Sequence, residues 1–125
     1  MSLKFLVVDD SVTMRRIVIN SLKNLGYDNF VEAGDGREAL DKLSVDESIN
    51  LVITDWNMPT VSGLELVKTI RGDSKLSKLS ILMVTTRGVK EDIIEALNAR
   101  VNNYIVKPFT PQVLKEKIDQ ILNAA

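Results

Sequence analysis

Polar side chains follow short apolar runs at four places in this chain. Asp9 and Asp10 come after the first run, Asp55 after the second, Thr85 after the third and Lys107 after the fourth. Short continuous apolar runs are typical of buried parallel strands. Because ligands of open α/β sheets bind beyond the carboxyl ends of the strands, we expect these side chains to converge at one edge of a sheet.

A cluster of Asp9, Asp10 and Asp55 predicts chemistry that uses a hard cation. Crowded carboxylates repel one another unless a cation lies among them or protons are taken up. Oxygen ligands without histidine or cysteine suit Mg²⁺, which often has a phosphoryl oxygen as a further ligand. Lys107 and Thr85 could then bind a transferring phosphoryl group. A carboxylate can itself be the nucleophile, which would give an aspartyl phosphate.

Each of these residues also has a simpler interpretation when it is taken alone. Asp9 and Asp10 could form a solvated turn or a helix cap, and Asp55 could begin a loop. Thr85 could bond its own backbone, and Lys107 could be a solvated lysine. Their joint position at four strand ends favours the functional interpretation.

The composition excludes several classes of site and partner. The 125 residues include 16 basic and 17 acidic side chains, and neither cysteine nor histidine is present. A Ser-His-Asp triad, histidine- or cysteine-ligated metals and a phosphohistidine on this chain are therefore excluded. The net charge of -1 provides no basic field for nucleic acid and no membrane anchor. We expect a monomer. We also expect a cytoplasmic, soluble protein, because no signal-peptide core precedes Asp9 and no apolar run could span a membrane.

Strand and helix patterns alternate along the whole chain, which predicts an α/β fold with a doubly wound parallel sheet. The predicted strands lie near residues 4–8, 29–33, 50–54, 80–84 and 102–106. Five helices are predicted, the fourth over residues 89–99 and the others beginning after the capping residues Ser11, Asp35, Ser62 and Thr110. No linker is evident, so residues 1–125 are expected to form one domain.

Two helices carry predictions about which side chains are buried. In the first helix, one buried stripe is predicted from the spacing of Met14, Ile17, Val18, Ser21, Leu22 and Leu25. In the fourth helix, Ile94 and Leu97 are predicted to be buried, whereas Ile93 points about 100° away from them and is predicted to be exposed.

Four motifs together resemble the receiver domain of two-component response regulators, over nearly the whole chain. They are residues 7–11 (VVDDS), residues 55–59 (DWNMP) with Gly63, residues 84–85 (VT) and residues 104–109 (YIVKPF). The resemblance implies a flavodoxin-like sheet of five parallel strands in the order 2-1-3-4-5 with five helices. It also implies a single receiver domain over residues 1–125 without an output domain, and the single-domain chemotaxis members of the family are the most similar.

The resemblance implies a role for each acidic residue. Asp55 would be the phosphoacceptor and would take its phosphoryl group from a CheA-like histidine kinase. Mg²⁺ would be bound by Asp10, Asp55 and the backbone carbonyl of Asn57, with Asp9 acting largely through water. Lys107 would contact the phosphoryl group. Such a protein assists its own phosphorylation and autodephosphorylation and is not an enzyme in the usual sense.

The resemblance also implies a switch and an output. Thr85 would turn toward the phosphoryl group and let Tyr104 shift inward, as a population shift. Ile93, Val101, Tyr104 and Lys117 would form a docking patch for a FliM-like flagellar switch protein, and a phosphatase is a further partner. Two alternatives stay open: a receiver with another output, such as a phosphorelay intermediate, and an aspartyl-nucleophile phosphatase.

This sequence departs from the family pattern at three positions. Arg100 replaces a common glycine, and a left-handed backbone there would cost roughly 1 kcal/mol. Thr86 and Arg87 border the site, and we expect them to alter the lifetime of an aspartyl phosphate. The resemblance further implies a cis peptide bond between Lys107 and Pro108.

Overall fold

The fold is known from a computed structural model, which describes residues 3–124. Within these residues, five strands alternate with five helices in chain order. The strands are β1 (Phe5–Val8), β2 (Phe30–Ala33), β3 (Leu51–Thr54), β4 (Ser80–Thr85) and β5 (Asn103–Val106). The helices are α1 (Val12–Asn24), α2 (Gly36–Val45), α3 (Gly63–Gly72), α4 (Lys90–Asn98) and α5 (Pro111–Asn123). No helix in residues 3–124 is long and apolar enough to cross a membrane.

The strands form one parallel sheet in the order β2-β1-β3-β4-β5, which confirms the predicted fold class and strand order. Residues of β1 alternate between its two faces, because side chains along a strand point to opposite sides. Leu6 and Val8 pack into a core layer with α2, α3 and α4, whereas Phe5 and Val7 pack into a layer with α1 and α5. The sheet is therefore covered on both faces, as parallel sheets require.

Polar side chains begin most of the helices, as the sequence predicted. The hydroxyl groups of Ser11, Ser62 and Thr110 and the carboxylate of Asp35 each accept a backbone N–H from the first turn of their helices. Such caps satisfy N–H groups that have no partner within the helix. The helix after β1 therefore begins next to Asp9 and Asp10, and this fixes the acidic pair at the start of α1.

Two burial predictions were wrong. Val18, Ser21 and Leu22 of the predicted stripe in α1 are buried, but Ile17 is 45% exposed, because the helix buries Ile19 on the other side of Val18 instead. In α4 the buried stripe contains small residues, Ala96 together with partly buried Ala99.

The same stripe of α4 includes Ile93, which is partly buried and packs against the core. Ile94 and Leu97 are 45% and 49% exposed, the reverse of the prediction. Two adjacent isoleucines made both faces apolar in sequence, so spacing alone did not identify the buried one.

Candidate functional site

Three aspartates meet at the carboxyl edge of the sheet. Asp9 and Asp10 follow β1 directly, and Asp55 follows the neighbouring strand β3. The backbone N–H of Asp55 donates to the carbonyl of Val8, so the pairing of β1 with β3 continues into the site. One carboxylate oxygen from each aspartate lies within 4.8 Å of the other two. Asp9 is buried, Asp55 is half-buried and Asp10 is exposed, so the cluster opens to solvent on the Asp10 side.

Lys107 lies across two of these carboxylates. Its Nζ donates to Oδ2 of Asp9 at 3.0 Å and to Oδ2 of Asp55 at 3.2 Å, and its side chain is 9% exposed. The residue follows β5, where its backbone N–H donates to the carbonyl of Thr85. The Lys107–Pro108 peptide bond is cis, in agreement with the family pattern.

Backbone donors fix the second oxygen of the same two carboxylates. Oδ1 of Asp9 accepts the N–H of Ser11 at 2.9 Å, and Oδ1 of Asp55 accepts the N–H of Trp56 at 2.6 Å. Each side chain is thus held in one orientation by a backbone donor and by Lys107. Side chains that are held before ligand binding lower the reorganisation that binding requires.

The donor set fits a magnesium ion. Three carboxylates against one ammonium leave a surplus of about two negative charges when all four groups are ionised. The ligand atoms are hard oxygens, and the exposed position of Asp10 leaves room for the waters that Mg²⁺ retains. Asn57 is also exposed beside the cluster, two residues after Asp55.

Thr85 and Tyr104 lie on the neighbouring strands β4 and β5. Thr85 is fully buried, and its hydroxyl accepts the backbone N–H of Arg87 at 3.4 Å. Tyr104 is 8% exposed and donates from its hydroxyl to the backbone carbonyl of Arg87 at 2.7 Å. Burial, and then the nearby charge of Asp92, raise the pKa of Tyr104 to about 12. The tyrosine is therefore a neutral hydrogen-bond donor that already lies inward.

Arg87 makes contacts that the sequence did not predict. Its Nε and Nη2 both donate to Oδ1 of Asn57, at 3.0 and 2.9 Å. Its guanidinium lies 4.5 Å from the ring centre of Trp56 and 3.5 Å from a carboxylate oxygen of Asp92. Cations favour the face of an indole ring. The two hydrogen bonds from Arg87 to one amide oxygen orient the side chain of Asn57. The basic residue at position 87 was noticed in the sequence, but the direction of its side chain depends on contacts between loops.

The residues of the predicted docking patch belong to the edge strand β5, to α4 and α5 next to it and to the turn between α4 and β5, but they expose little surface. Val101 and Tyr104 are buried, and Ile93 and Lys117 are half-buried. The exposed apolar side chains of this region are instead Ile94, Leu97, Val89 and Val106.

Comparisons with known proteins give the family. The sequence profile of the response regulator receiver domain matches residues 5–119. The chain is 58% identical over 120 residues to "Chemotaxis protein CheY homolog" of Campylobacter jejuni, covering 96% of this chain and 92% of the relative. It is 56% identical over 120 residues to "Chemotaxis protein CheY1" of Helicobacter pylori, covering 96% of this chain and 97% of the relative.

Solved structures agree with this assignment. The chain superposes on the chemotaxis response regulator CheY4 of Vibrio cholerae with a TM-score of 0.87, 36% identity and coverage of 97% of this chain and 99% of that structure. A response regulator receiver protein from Pseudomonas putida gives a TM-score of 0.86 at 32% identity, covering 96% of this chain and 98% of that one. A profile match over most of the chain, the identity to several relatives and the shared fold lead to one conclusion: the chain belongs to the response regulator receiver domain family and is CheY-like.

Proposed function

We propose that the protein is a phosphorylation-activated switch in which Asp55 accepts a phosphoryl group from a histidine kinase in a Mg²⁺-dependent reaction. The observation that carries the proposal is the convergence of Asp9, Asp10 and Asp55, two of which, Asp9 and Asp55, also bind Lys107. Asp9, Asp10, Asp55 and the backbone carbonyl of Asn57 would hold Mg²⁺, which supplies positive charge next to the phosphoryl oxygens when it is bound.

Asp55 is the nucleophile in this scheme. A carboxylate oxygen of Asp55 attacks the phosphorus of a phosphohistidine on the kinase, a P–O bond forms, and the P–N bond to the imidazole breaks. The imidazole leaves with the electron pair of that bond and takes up a proton. Lys107 is already within hydrogen-bond distance of Asp55 and stabilises the charge on the transferred group.

Thr85 and Tyr104 would carry the signal away from Asp55. A phosphoryl oxygen offers the buried hydroxyl of Thr85 a charged acceptor, which is a stronger partner than a neutral backbone group. The β4–α4 loop would then adjust at Arg87, whose carbonyl accepts the hydroxyl of Tyr104. This would favour the inward position of Tyr104 over any outward one and change the surface around Ile93, Val101 and Lys117.

We also propose a chemotaxis output, with the flagellar motor switch as the partner that binds this surface. The support comes from the relatives named as chemotaxis proteins, which match at 58% and 56% identity over 96% of the chain. A CheA-like kinase would be the donor in that system. Binding of the phosphorylated protein to a peptide from a flagellar switch protein, but not of Asp55→Asn, would support this output.

The test of the phosphoacceptor uses the fluorescence of Trp56, the single tryptophan of the chain, which adjoins Asp55. We expect one change on addition of Mg²⁺ and a second on addition of acetyl phosphate, with a phosphoryl adduct in the intact mass. In Asp55→Asn the second change and the adduct should be lost. An adduct that persists in the variant would place the phosphoryl group on another residue and overturn the proposal.

A further inference from the structure

Arg15 of α1 lies against the back of the acidic cluster. Its Nη1 donates to the backbone carbonyl of Asp9 at 2.6 Å, and its Nε donates to Oε1 of Glu32 at 3.0 Å. The side chain is 15% exposed, so this guanidinium is largely removed from solvent. Arg15 therefore joins the loop after β1 to the outer strand β2.

The carbonyl that Arg15 holds belongs to the peptide group between Asp9 and Asp10. Because this group is planar, fixing its oxygen also fixes the direction in which the chain enters Asp10. The rest of Asp9 is fixed as well. Its N–H donates to the carbonyl of Ala33, and its carboxylate accepts hydrogen bonds from the N–H of Ser11 and from Nζ of Lys107. The backbone of Asp10 is therefore held on both sides, by the bond from Arg15 to the carbonyl before it and by the bond from the N–H of Ser11 after it to the carboxylate of Asp9.

The charge of Arg15 acts in the opposite sense from this bond. A positive charge close to Asp9 and Asp10 opposes the approach of a cation. Glu32 offsets that charge because its carboxylate pairs with Nε. The two effects predict opposite results for removal of Arg15, since loss of positioning would weaken metal binding and loss of repulsion would strengthen it.

We propose that Arg15 is a positioning residue for the metal cluster, and that Glu32 both orients it and neutralises its charge. The inference rests on the proposed Mg²⁺ site and adds to it two residues that touch neither the metal nor the phosphoryl group. Groups that orient metal ligands from behind typically change metal affinity by about 10- to 100-fold when they are removed.

The test is a Mg²⁺ titration without any phosphodonor. The fluorescence of Trp56 and, independently, calorimetry measure the Kd for Mg²⁺. Arg15→Met should raise the Kd for Mg²⁺ by roughly tenfold or more. Arg15→Lys should recover part of this loss, because an ammonium keeps the charge and can still donate to one acceptor. Arg16→Met is the matched control: Arg16 is the next residue of α1, is exposed and should leave the Kd within about twofold of the wild-type value.

A Kd for Arg15→Met that is unchanged or lower would overturn the proposal, since positioning would then be absent or weaker than repulsion. Urea denaturation in EDTA measures the stability of the metal-free variant. If Arg15 is a positioning residue, Arg15→Met stays folded under the conditions of the titration and still binds Mg²⁺ more weakly. If Arg15→Met does not fold, Glu32→Gln supplies the test. This variant keeps Arg15 but unmasks its charge, so wild-type affinity in it would contradict the inference.

The two proposals fail in different ways. A wild-type protein that shows no saturable response to Mg²⁺ and no phosphoryl adduct would overturn the proposed function and, with it, the role of Arg15. A wild-type protein that binds Mg²⁺ and is phosphorylated, alongside an Arg15→Met variant of equal affinity, would overturn the role of Arg15 alone.

Discussion

Arg87 connects the acidic site with the inward tyrosine. Its guanidinium holds the amide oxygen of Asn57 and lies on the face of Trp56, while its backbone carbonyl accepts the hydroxyl of Tyr104. One residue of the β4–α4 loop thus contacts both the loop that follows Asp55 and the side chain expected to respond to phosphorylation.

We predict that Arg87→Glu shortens the lifetime of the aspartyl phosphate. The charge-assisted bonds to Asn57 would be lost, and water would reach Asp55 more easily. Such bonds are worth about 1.5–3 kcal/mol. If about half of this value is lost from the barrier to dephosphorylation, the decay becomes faster by up to about tenfold. The measurement is the decay of the phosphoryl adduct by intact mass, after removal of the donor.

Lys90→Glu is the control for Arg87→Glu, because it reverses a charge at the exposed start of α4. Its decay rate should match the wild-type rate. Thr86→Ala, which trims an exposed side chain beside the same site, should also speed the decay. Unchanged rates in Thr86→Ala and Arg87→Glu would show that neither residue limits access to Asp55.

At the level of single residues, the sequence predicted positions better than directions. Asp9, Asp55 and Lys107 converge because each comes directly after a strand, and parallel strands bring their carboxyl ends to one edge. The side chains of Arg15 and Arg87 are long, and their directions are set by acceptors in distant segments, Glu32 and Asn57. Neither pairing leaves a periodic signal in the sequence.

The start of α3 lies unusually close to the loop that carries Asp55. The N–H of Gly63 donates to the carbonyl of Trp56 at 2.8 Å, and a Cβ added to Gly63 would lie 1.8 Å from the backbone oxygen of Asp55. The obstacle is backbone and not a flexible side chain. Glycine at position 63 is therefore required by the packing of α3 against the site.

We predict that Gly63→Ala lowers the free energy of unfolding by at least about 2 kcal/mol, in the range of damaging core substitutions. Urea denaturation followed by circular dichroism measures this change. Gly72→Ala is the matched control at the other end of α3, where an added Cβ meets nothing within 4 Å. It should be neutral or stabilise the protein by about 0.5 kcal/mol. Equal effects of the two substitutions would contradict the argument from close packing.

The turn after α4 contains a strained residue. Arg100 has a φ of 75°, in the left-handed region that favours glycine. Its carbonyl accepts Nε of Arg71 at 2.9 Å, and Arg71 also donates to Ser77, Leu79 and Asn102. Arg71 therefore ties the end of α3 to the turn before β5 and helps to hold Arg100 in this conformation.

We predict that Arg100→Gly is more stable than Arg100→Ala by about 1 kcal/mol, because both lose the side-chain charge and glycine alone is free of the left-handed penalty. The difference in the midpoint of urea unfolding at equal slope measures it. Equal stability of the two variants would indicate that the turn adopts another conformation in solution.

The fold of the whole molecule follows from patterns that run the length of the chain. Four apolar runs, a strand pattern near residues 29–33 and five amphipathic segments, four of them with a capping residue, were enough for a doubly wound α/β fold, since each local pattern agreed with the next. The order of the strands came from the family resemblance, because an apolar run such as Leu51–Thr54 carries no mark of its neighbours in the sheet. The prediction of the buried face of α4 was wrong for a related reason. Ile93 and Ile94 are chemically identical, and only the packing of the helix in the fold determines which of them is buried.

Mg²⁺ should stabilise the molecule as a whole, because the cluster of Asp9, Asp10 and Asp55 is assembled only when the chain is folded. At a free Mg²⁺ concentration of 100 times Kd, the expected gain in unfolding free energy is about 2.7 kcal/mol, and EDTA should reverse it. Thermal unfolding with and without Mg²⁺ measures the gain. The gain should be much smaller in Asp10→Asn, and an equal gain in that variant would place the stabilising ion elsewhere.

The ammonium of Lys107 already acts as a counterion for Asp9 and Asp55, and it is tethered to the chain. A divalent ion that enters the cluster would therefore share Asp9 and Asp55 with this lysine and would balance the negative charge that the lysine leaves over. Its apparent affinity would be what the carboxylates gain from the ion, less any contact with the lysine that they give up. Such a site can release its metal easily and still stay folded without it, because the tethered charge remains when the dissolved one leaves.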